Sequence, residues 1–296
     1  MSKNELTISD EHMPGLYQAS NRASINSQSI YYISLIVYLV LLIVAAIVSY
    51  LSAASKAGTL SSALLFLITL GILIGLRVKR PDDTWYNGRA VAESVKTRAW
   101  RWMMRAEPYL DIEKIEVVKK EFISDLKLIL NQNKSIAGAL SHDEYLKEPI
   151  SDEMLDVRSL SVTERLEVYL NDRVNDQSIW YSKKSIFNKK RALFWFCVSV
   201  ILHLAAITML LLRVQDPTLN LPIEVVATAA GAVLTWLQAK KHNELASSYS
   251  LTAHEIMLIK GEGVGIVTEE ELSDYVVNTE AAFSREHTQW VARKNE

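Results

Sequence analysis

Few side chains in this 296-residue chain have both the type and the placement for chemistry, and most of those lie in or beside apolar runs. His203 falls in the middle of Ala192 to Leu212, a stretch free of acidic and basic side chains apart from that imidazole. An ionisable group at that depth is a candidate for proton or ion handling; a neutral imidazole bonded to a neighbouring helix is the commoner arrangement. Glu224 follows Pro222 at the start of a second apolar run, Pro222 to Leu237. A gate or selectivity charge would suit that place, but a carboxylate there also offsets the positive end of a helix, and the position favours that role. Thr228, Gly231 and Thr235 share one helical face and could line a pore. Ala227 with Gly231, and Gly71 with Gly75, are small-residue pairs at four-residue spacing that permit close helix approach, with packing inside one hairpin favoured over contact between subunits.

Outside the apolar runs, Arg98, Arg101 and Arg105 form one basic stripe, suited to lipid headgroups or a nucleotide phosphate. Basic stripes beside a membrane more often set topology or face solvent. Arg285, Glu286 and His287 are consecutive, so they point in different directions and suit helix pairing better than a catalytic trio. The chain has no phosphate-binding loop, no paired-histidine zinc helix and no nucleophile elbow. Gly261 to Gly265 lacks dinucleotide spacing and reads as a loop. With Cys197 as the single cysteine, neither a disulfide nor a cysteine metal site is available. We therefore expect no catalytic residue, no cofactor and no metal.

The elements that position these residues are two hairpins. Tyr31 to Leu51 carries no charge, and at about 1.5 Å per residue it is long enough to cross about 30 Å of hydrocarbon. Ser52 to Thr59 makes a turn, and Leu60 to Leu76 returns, with the span ending near Val78. The same design recurs at Ala192 to Leu212 and Pro222 to Leu237, separated by Arg213 to Asn220. Basic residues flank the inner ends: Arg77, Lys79 and Arg80 after the first hairpin, Lys183, Lys184, Lys189, Lys190 and Arg191 before the second, Lys240 and Lys241 after it. By the positive-inside rule this predicts a multi-pass membrane protein with both termini cytoplasmic. A formal charge of −2 gives no reason to expect nucleic-acid binding.

Amphipathic helices feed the hairpins. No glycine or proline separates Gly15 from Gly58, so a helix from Leu16 can run unbroken through the first span. After Pro81, the residues Trp85, Gly88, Ala92, Val95, Ala99, Trp102 and Ala106 form a seam that Pro108 ends. Ile112 to Leu130 predicts another helix, buried through Ile115, Val118, Phe122, Leu126 and Ile129. Ser161 with Glu164, and Thr268 with Glu271, are capping boxes that mark helix starts. From Ser161 to Leu212 nothing forces a stop, with Asn171-Asp172 and Asn188-Lys189 as the candidate breaks. Ala232 to Lys260 is equally free of breakers, which predicts that the fourth span continues as one helix. The final helix presents Leu272, Val276, Thr279, Phe283 and Trp290 on one face.

The plan repeats: a flexible 1–15, a unit at 16–130 with spans at about 31–51 and 60–78, a connector at 131–160, and a unit at 161–296 with spans at about 192–212 and 222–237. The fold class is an all-α integral membrane protein, two transmembrane hairpins whose long helices extend into a cytosolic helical bundle.

Trp85-Tyr86-Asn87-Gly88-Arg89-Ala90-Val91-Ala92-Glu93-Ser94, directly after the first hairpin, resembles the post-membrane helix of the SLATT family, a prokaryotic two-transmembrane effector domain. His242 to Tyr249, Thr252 to Glu255 and Phe283 to Trp290 resemble a second SLATT subtype. On that resemblance Trp85, Arg89, Glu93, Glu255, Arg285, Glu286, His287 and Trp290 are motif positions that make helix contacts. The resemblance implies an oligomeric membrane effector of a conflict or antiphage system that perturbs the bilayer as a pore. It further implies, as activator, a nucleotide second messenger or a nucleotide-sensing partner protein. The alternative is a non-toxic, membrane-anchored adaptor presenting a cytosolic helical platform.

Overall fold

The computed structural model describes residues 7–111, 114–140 and 147–292, of which 285–292 are described in backbone only. Among the described residues the chain forms ten α-helices and no strand. In order they are α1 Gly15–Leu51, α2 Lys56–Lys79, α3 Pro81–Met103, α4 Ile115–Gln132, α5 Asp152–Ser159, α6 Val162–Tyr169, α7 Asp176–Gln215, α8 Ile223–Lys240, α9 His242–Glu262 and α10 Glu269–Ala292.

Breaker-free sequence gives long helices where it can. At 37 residues α1 runs from the polar N-terminal region through the whole first apolar stretch, as its lack of glycine and proline predicts. The helix begun at Ser161 is also continuous, but not regular: Leu170–Asn175 winds as a π-helix between α6 and α7. Of the two candidate breaks, Asn171-Asp172 thus falls on a π segment, while Asn188-Lys189 lies undisturbed inside α7. Both capping boxes form. Ser161 accepts from the Glu164 amide and Glu164 accepts from the Ser161 amide, and Thr268 and Glu271 do the same.

Three stops fall where no glycine stands. Arg80, Arg105 and Lys241 all have left-handed backbone, with φ of 44°, 51° and 48°. The helix α3 therefore ends at Met103, short of the expected Pro108: Ala106 N–H reaches the Arg101 carbonyl and Arg105 N–H the Trp102 carbonyl, a Schellman stop with Arg105 in the position glycine usually takes. Likewise the uninterrupted helix expected from Ala232 to Lys260 is broken at Lys241 into α8 and α9. Local propensity favours continuity there, so tertiary contacts set the bend.

The chain divides into two compact units, each drawn from both sequence halves: residues 1–28, 81–181 and 251–296 form one, and 29–80 with 182–250 form the other. In the first unit α3 is central. Its whole predicted seam is buried, Trp85, Gly88, Ala92, Val95, Ala99, Trp102 and, just past its end, Ala106. Around it pack Phe122 and Leu126 of α4, Met154 and Val157 of α5, Tyr169 of α6, and Leu272, Val276, Thr279 and Phe283 of α10. The connector also contributes, because Ile136 is fully buried.

Gly88 is the contact that lets α1 approach α3. A Cβ there would lie 3.0 Å from the Ser20 carbonyl oxygen and 3.2 Å from the Ser24 amide, both backbone atoms that cannot step aside. Gly88→Ala gains about 1 kcal/mol of helix propensity but overpacks a close helix contact at about 1–3 kcal/mol. Net destabilisation is expected, larger for Gly88→Val, and thermal unfolding in detergent followed by circular dichroism measures it. A raised melting temperature for Gly88→Ala would show that the two backbones have slack.

The second unit holds the apolar segments. Among the described residues three helical stretches are long and apolar enough to cross a membrane: Gly15–Leu51, Lys56–Met103 with its corner at Arg80, and Val162–Gln215. The stretch that sequence assigns to a fourth span is α8, only 18 residues long with Glu224, Gln238 and Lys240 among them. Within this unit α8 packs on α1: Leu35, Leu39 and Ala232 are buried together, with Tyr31, Tyr38, Ile43, Trp236 and Ala239 against them. Tyr50 at the far end of α1 donates to the Asn220 carbonyl just before α8, 2.6 Å. The first hairpin closes on itself through Ser62, whose hydroxyl donates to the Ala45 carbonyl at 3.1 Å.

Candidate functional site

A buried carboxylate organises the first unit. Glu280 on α10 is fully buried and takes four donors: Arg173 Nε at 2.9 Å and Nη2 at 2.8 Å, the Tyr169 hydroxyl at 3.0 Å and the Thr97 hydroxyl at 2.9 Å. One side chain thus ties α3, α6, the π segment and α10 together. The Arg173 guanidinium also stacks over Phe283, 4.7 Å from the ring centre. Burial alone would pull the arginine pKa down, but Glu280 more than offsets it, and the net shift is upward. The Tyr169 hydroxyl is held well above its usual range by burial and by the adjacent Glu280 charge. The guanidinium therefore stays charged, and the tyrosine serves the carboxylate as a neutral donor.

A second cluster caps the C-terminal end of α3, where backbone carbonyls lack helical partners. Arg158 donates to the Trp102 and Tyr109 carbonyls and pairs with Asp111, with its guanidinium 4.8 Å from the Trp102 ring centre. Arg165, wholly buried, donates to the Met104 carbonyl at 2.7 Å and pairs with Glu269. Arg105 reaches the Arg158 carbonyl at 2.9 Å, Asp111 at 3.0 Å and Glu269 at 3.4 Å. Its side chain is pinned on three sides, which holds its strained backbone.

The predicted basic stripe therefore turns toward protein partners. Arg98 pairs with Asp125 at 3.4 Å, Arg101 donates to the Val277 carbonyl at 3.3 Å, and Arg105 belongs to the cluster just described. Among the motif positions, Arg89 pairs with Glu93 at 2.7 Å, and Trp85 is buried with its carbonyl accepting from Ser24. Glu255 faces outward on α9. Side chains of Arg285, Glu286, His287 and Trp290 lie outside the described residues.

In the second unit His203 bonds its own helix, with Nδ1 2.7 Å from the Ser199 carbonyl, and not a neighbouring one. Glu224 stands in the first turn of α8, 3.9 Å from Arg213. The hydroxyls of Thr228 and Thr235 fold back on the carbonyls of Glu224 and Gly231, at 2.8 and 2.9 Å. Close packing at the small-residue pairs inside one hairpin does not occur among the described residues: a Cβ at Gly71, Gly75 or Gly231 would meet nothing within 4 Å. The helices touch elsewhere instead, at Ser62 and at Leu35, Leu39 and Ala232. Among the described residues Gly231 and Thr235 are exposed and Thr228 is half-buried.

Aromatic side chains mark one level of this unit. Tyr32 and Trp236 are 5.9 Å apart, Trp195 and Trp236 6.2 Å, and the Lys240 ammonium sits 3.2 Å from the centre of the Tyr32 ring. Rings and a lysine with an apolar stem suit a membrane–water interface. Among the described residues no cluster of histidine, cysteine and carboxylate could hold a metal ion.

Sequence reasoning missed the buried arginines and Glu280. A signal existed: Glu280 falls four residues after Val276 and three before Phe283, on the apolar face of its helix.

Compared with protein families, residues 14–166 match the SMODS and SLOG-associating 2TM effector domain 3, and residues 169–290 match the SMODS and SLOG-associating 2TM effector domain 1. No curated protein and no solved structure matches the chain.

Proposed function

The chain belongs to the SMODS and SLOG-associating two-transmembrane effector family, with two different members of it in tandem, and on that premise we propose an oligomeric, signal-gated effector of a prokaryotic conflict or antiphage system. It acts in the inner membrane and dissipates the membrane potential through a pore. The tandem match carries the reading, since each half brings one two-span effector hairpin.

Four spans are favoured over three by the packing of α8. It lies along α1 through Leu35, Leu39 and Ala232, with Trp236 near Tyr32 and Asn220 near Tyr50. A helix that runs beside a membrane-crossing one over the same length shares its solvent. Basic flanks at Arg77, Lys79 and Lys189 to Arg191 favour cytoplasmic termini. A homo-oligomer is favoured by two faces that the chain leaves uncovered. One is Thr228, Gly231, Thr235 on α8; the other is Ile186, Leu193, Val200, Ile207 and Val214, a seven-residue repeat exposed along α7. Copies inserted the same way meet such a repeat in register, because equal residues stand at equal depth.

Activation enters through the polar helices. The α1 and α7 helices run without a stop from the first unit into the apolar segments, so a nucleotide second messenger or nucleotide-sensing partner that shifts their polar ends has a mechanical route to the pore. Induced expression in bacteria, alone and with a co-expressed nucleotide second-messenger synthase, followed with a potential-sensitive dye, tests the proposal. Loss of membrane potential is expected. Recruitment of a partner to the membrane with the potential intact would instead establish the adaptor reading.

A further inference from the structure

We propose that the joint between α8 and α9 at Lys241 is a reversible hinge, bent here and able to straighten into one continuous helix. Among the described residues three hold left-handed backbone without being glycine. Arg80 precedes Pro81, which has no N–H to give and disfavours right-handed helix at the residue before it, so α2 and α3 cannot fuse. Arg105 is held by the Arg158 carbonyl, Asp111 and Glu269. Lys241 has neither kind of lock. Its side chain is exposed, 3.8 Å from Glu244 on the surface, and no proline or glycine stands between Ala232 and Lys260.

A permanent bend is best served by glycine, which adopts this conformation without strain. Lysine makes the bent form carry strain that the straight helix lacks. What opposes straightening is tertiary. His242 Nδ1 lies 2.7 Å from Asn188 Oδ1, and the Asn188 amide nitrogen donates to the Lys184 carbonyl at 2.8 Å, which fixes its oxygen as the acceptor of the imidazole N–H. Ser185 donates to the Ala246 carbonyl at 2.8 Å. Lys240 rests on the faces of Tyr32 and Trp236, at 3.2 and 4.9 Å. These contacts to α1 and α7 are joined by Thr252 and Ile256, buried farther along α9, and by Lys260, which donates to Asn175 Oδ1 at 3.1 Å. Together they hold the bent form against the strain at Lys241, and the two-state balance lies between them. The two hairpins thus differ at their exits: the first has a fixed corner, the second a switchable one.

The hinge is independent of whether a pore forms, and its readout is a distance. In full-length chain reconstituted in lipid bilayers, with Cys197→Ala, nitroxides are placed at Leu234 and Ser247, both exposed. Thirteen residues of straight helix separate them by about 20 Å, and the bend shortens this. Lys241→Gly is expected to give the short separation alone. Lys241→Ala restores helix propensity while keeping the strain, and should raise the ratio of straight to bent molecules about tenfold or more over Lys241→Gly. Coincident distance distributions for the Ala and Gly variants would overturn the hinge.

Discussion

Glu280→Gln is expected to destabilise the first unit by about 3–5 kcal/mol, the usual cost of removing one partner from a buried ion pair. The carboxylate is fully buried and its two oxygens accept four hydrogen bonds, from Arg173 twice, Tyr169 and Thr97. Glutamine keeps the shape but turns one acceptor into a donor, which then faces donors, and it leaves the guanidinium buried without a counter-charge. Against a total stability of about 5–15 kcal/mol for a domain, that loss is visible as a lowered melting temperature and faster proteolysis. The double variant Arg173→Met with Glu280→Leu should recover only part of it, because apolar replacement of the ion pair removes its desolvation cost while the Tyr169 and Thr97 hydroxyls lose their acceptor. A single variant within about 1 kcal/mol of the parent would mean that water reaches the pair.

This prediction could not have been made from the sequence, and the reason is instructive. Periodicity reports which face of a helix is buried, and it placed the α3 seam, the α10 face and both capping boxes correctly, as burial at Ala92, Val95, Ala99, Leu272 and Val276 attests. It treats charge as a mark of solvent. Arg158, Arg165 and Arg173 were therefore invisible as core residues, although each is buried. Their partners lie far along the chain: 107 residues separate Arg173 from Glu280, and 104 separate Arg165 from Glu269. The candidate pore and packing residues were legible as types on a face, but which faces stay open depends on where helices meet. Gly71, Gly75 and Gly231 suit close contact by composition, whereas Ser62 and the Leu35, Leu39 and Ala232 group make it. The bend at Lys241 was illegible for another reason. Helix propensity over Ala232 to Lys260 is uninterrupted, and the stop is imposed by neighbours on α1 and α7.

The open glycine face gives the strongest test of the oligomeric pore. Gly231→Leu is expected to leave the chain's own fold unchanged, because a Cβ at that position meets nothing within 4 Å. A substitution at an exposed position stays within about 0.5 kcal/mol, and leaving glycine gains helix propensity. In an assembly that brings the Thr228, Gly231, Thr235 face against another copy or around an aqueous path, the same side chain occupies the space that the small residues keep free. Each tenfold loss of association corresponds to about 1.4 kcal/mol per contact, and displacing a close helix contact costs about that much or more. Membrane depolarisation should therefore fall by about tenfold or more while the melting temperature and the amount in the membrane hold. Leu234→Phe, on the same helix at an exposed position already occupied by a large side chain, serves as the control and should depolarise as the parent does. Full activity in Gly231→Leu would remove this face from both the subunit contact and the conduction path, and would leave the α7 repeat through Leu193, Val200 and Ile207 as the surface on which an oligomer has to be built.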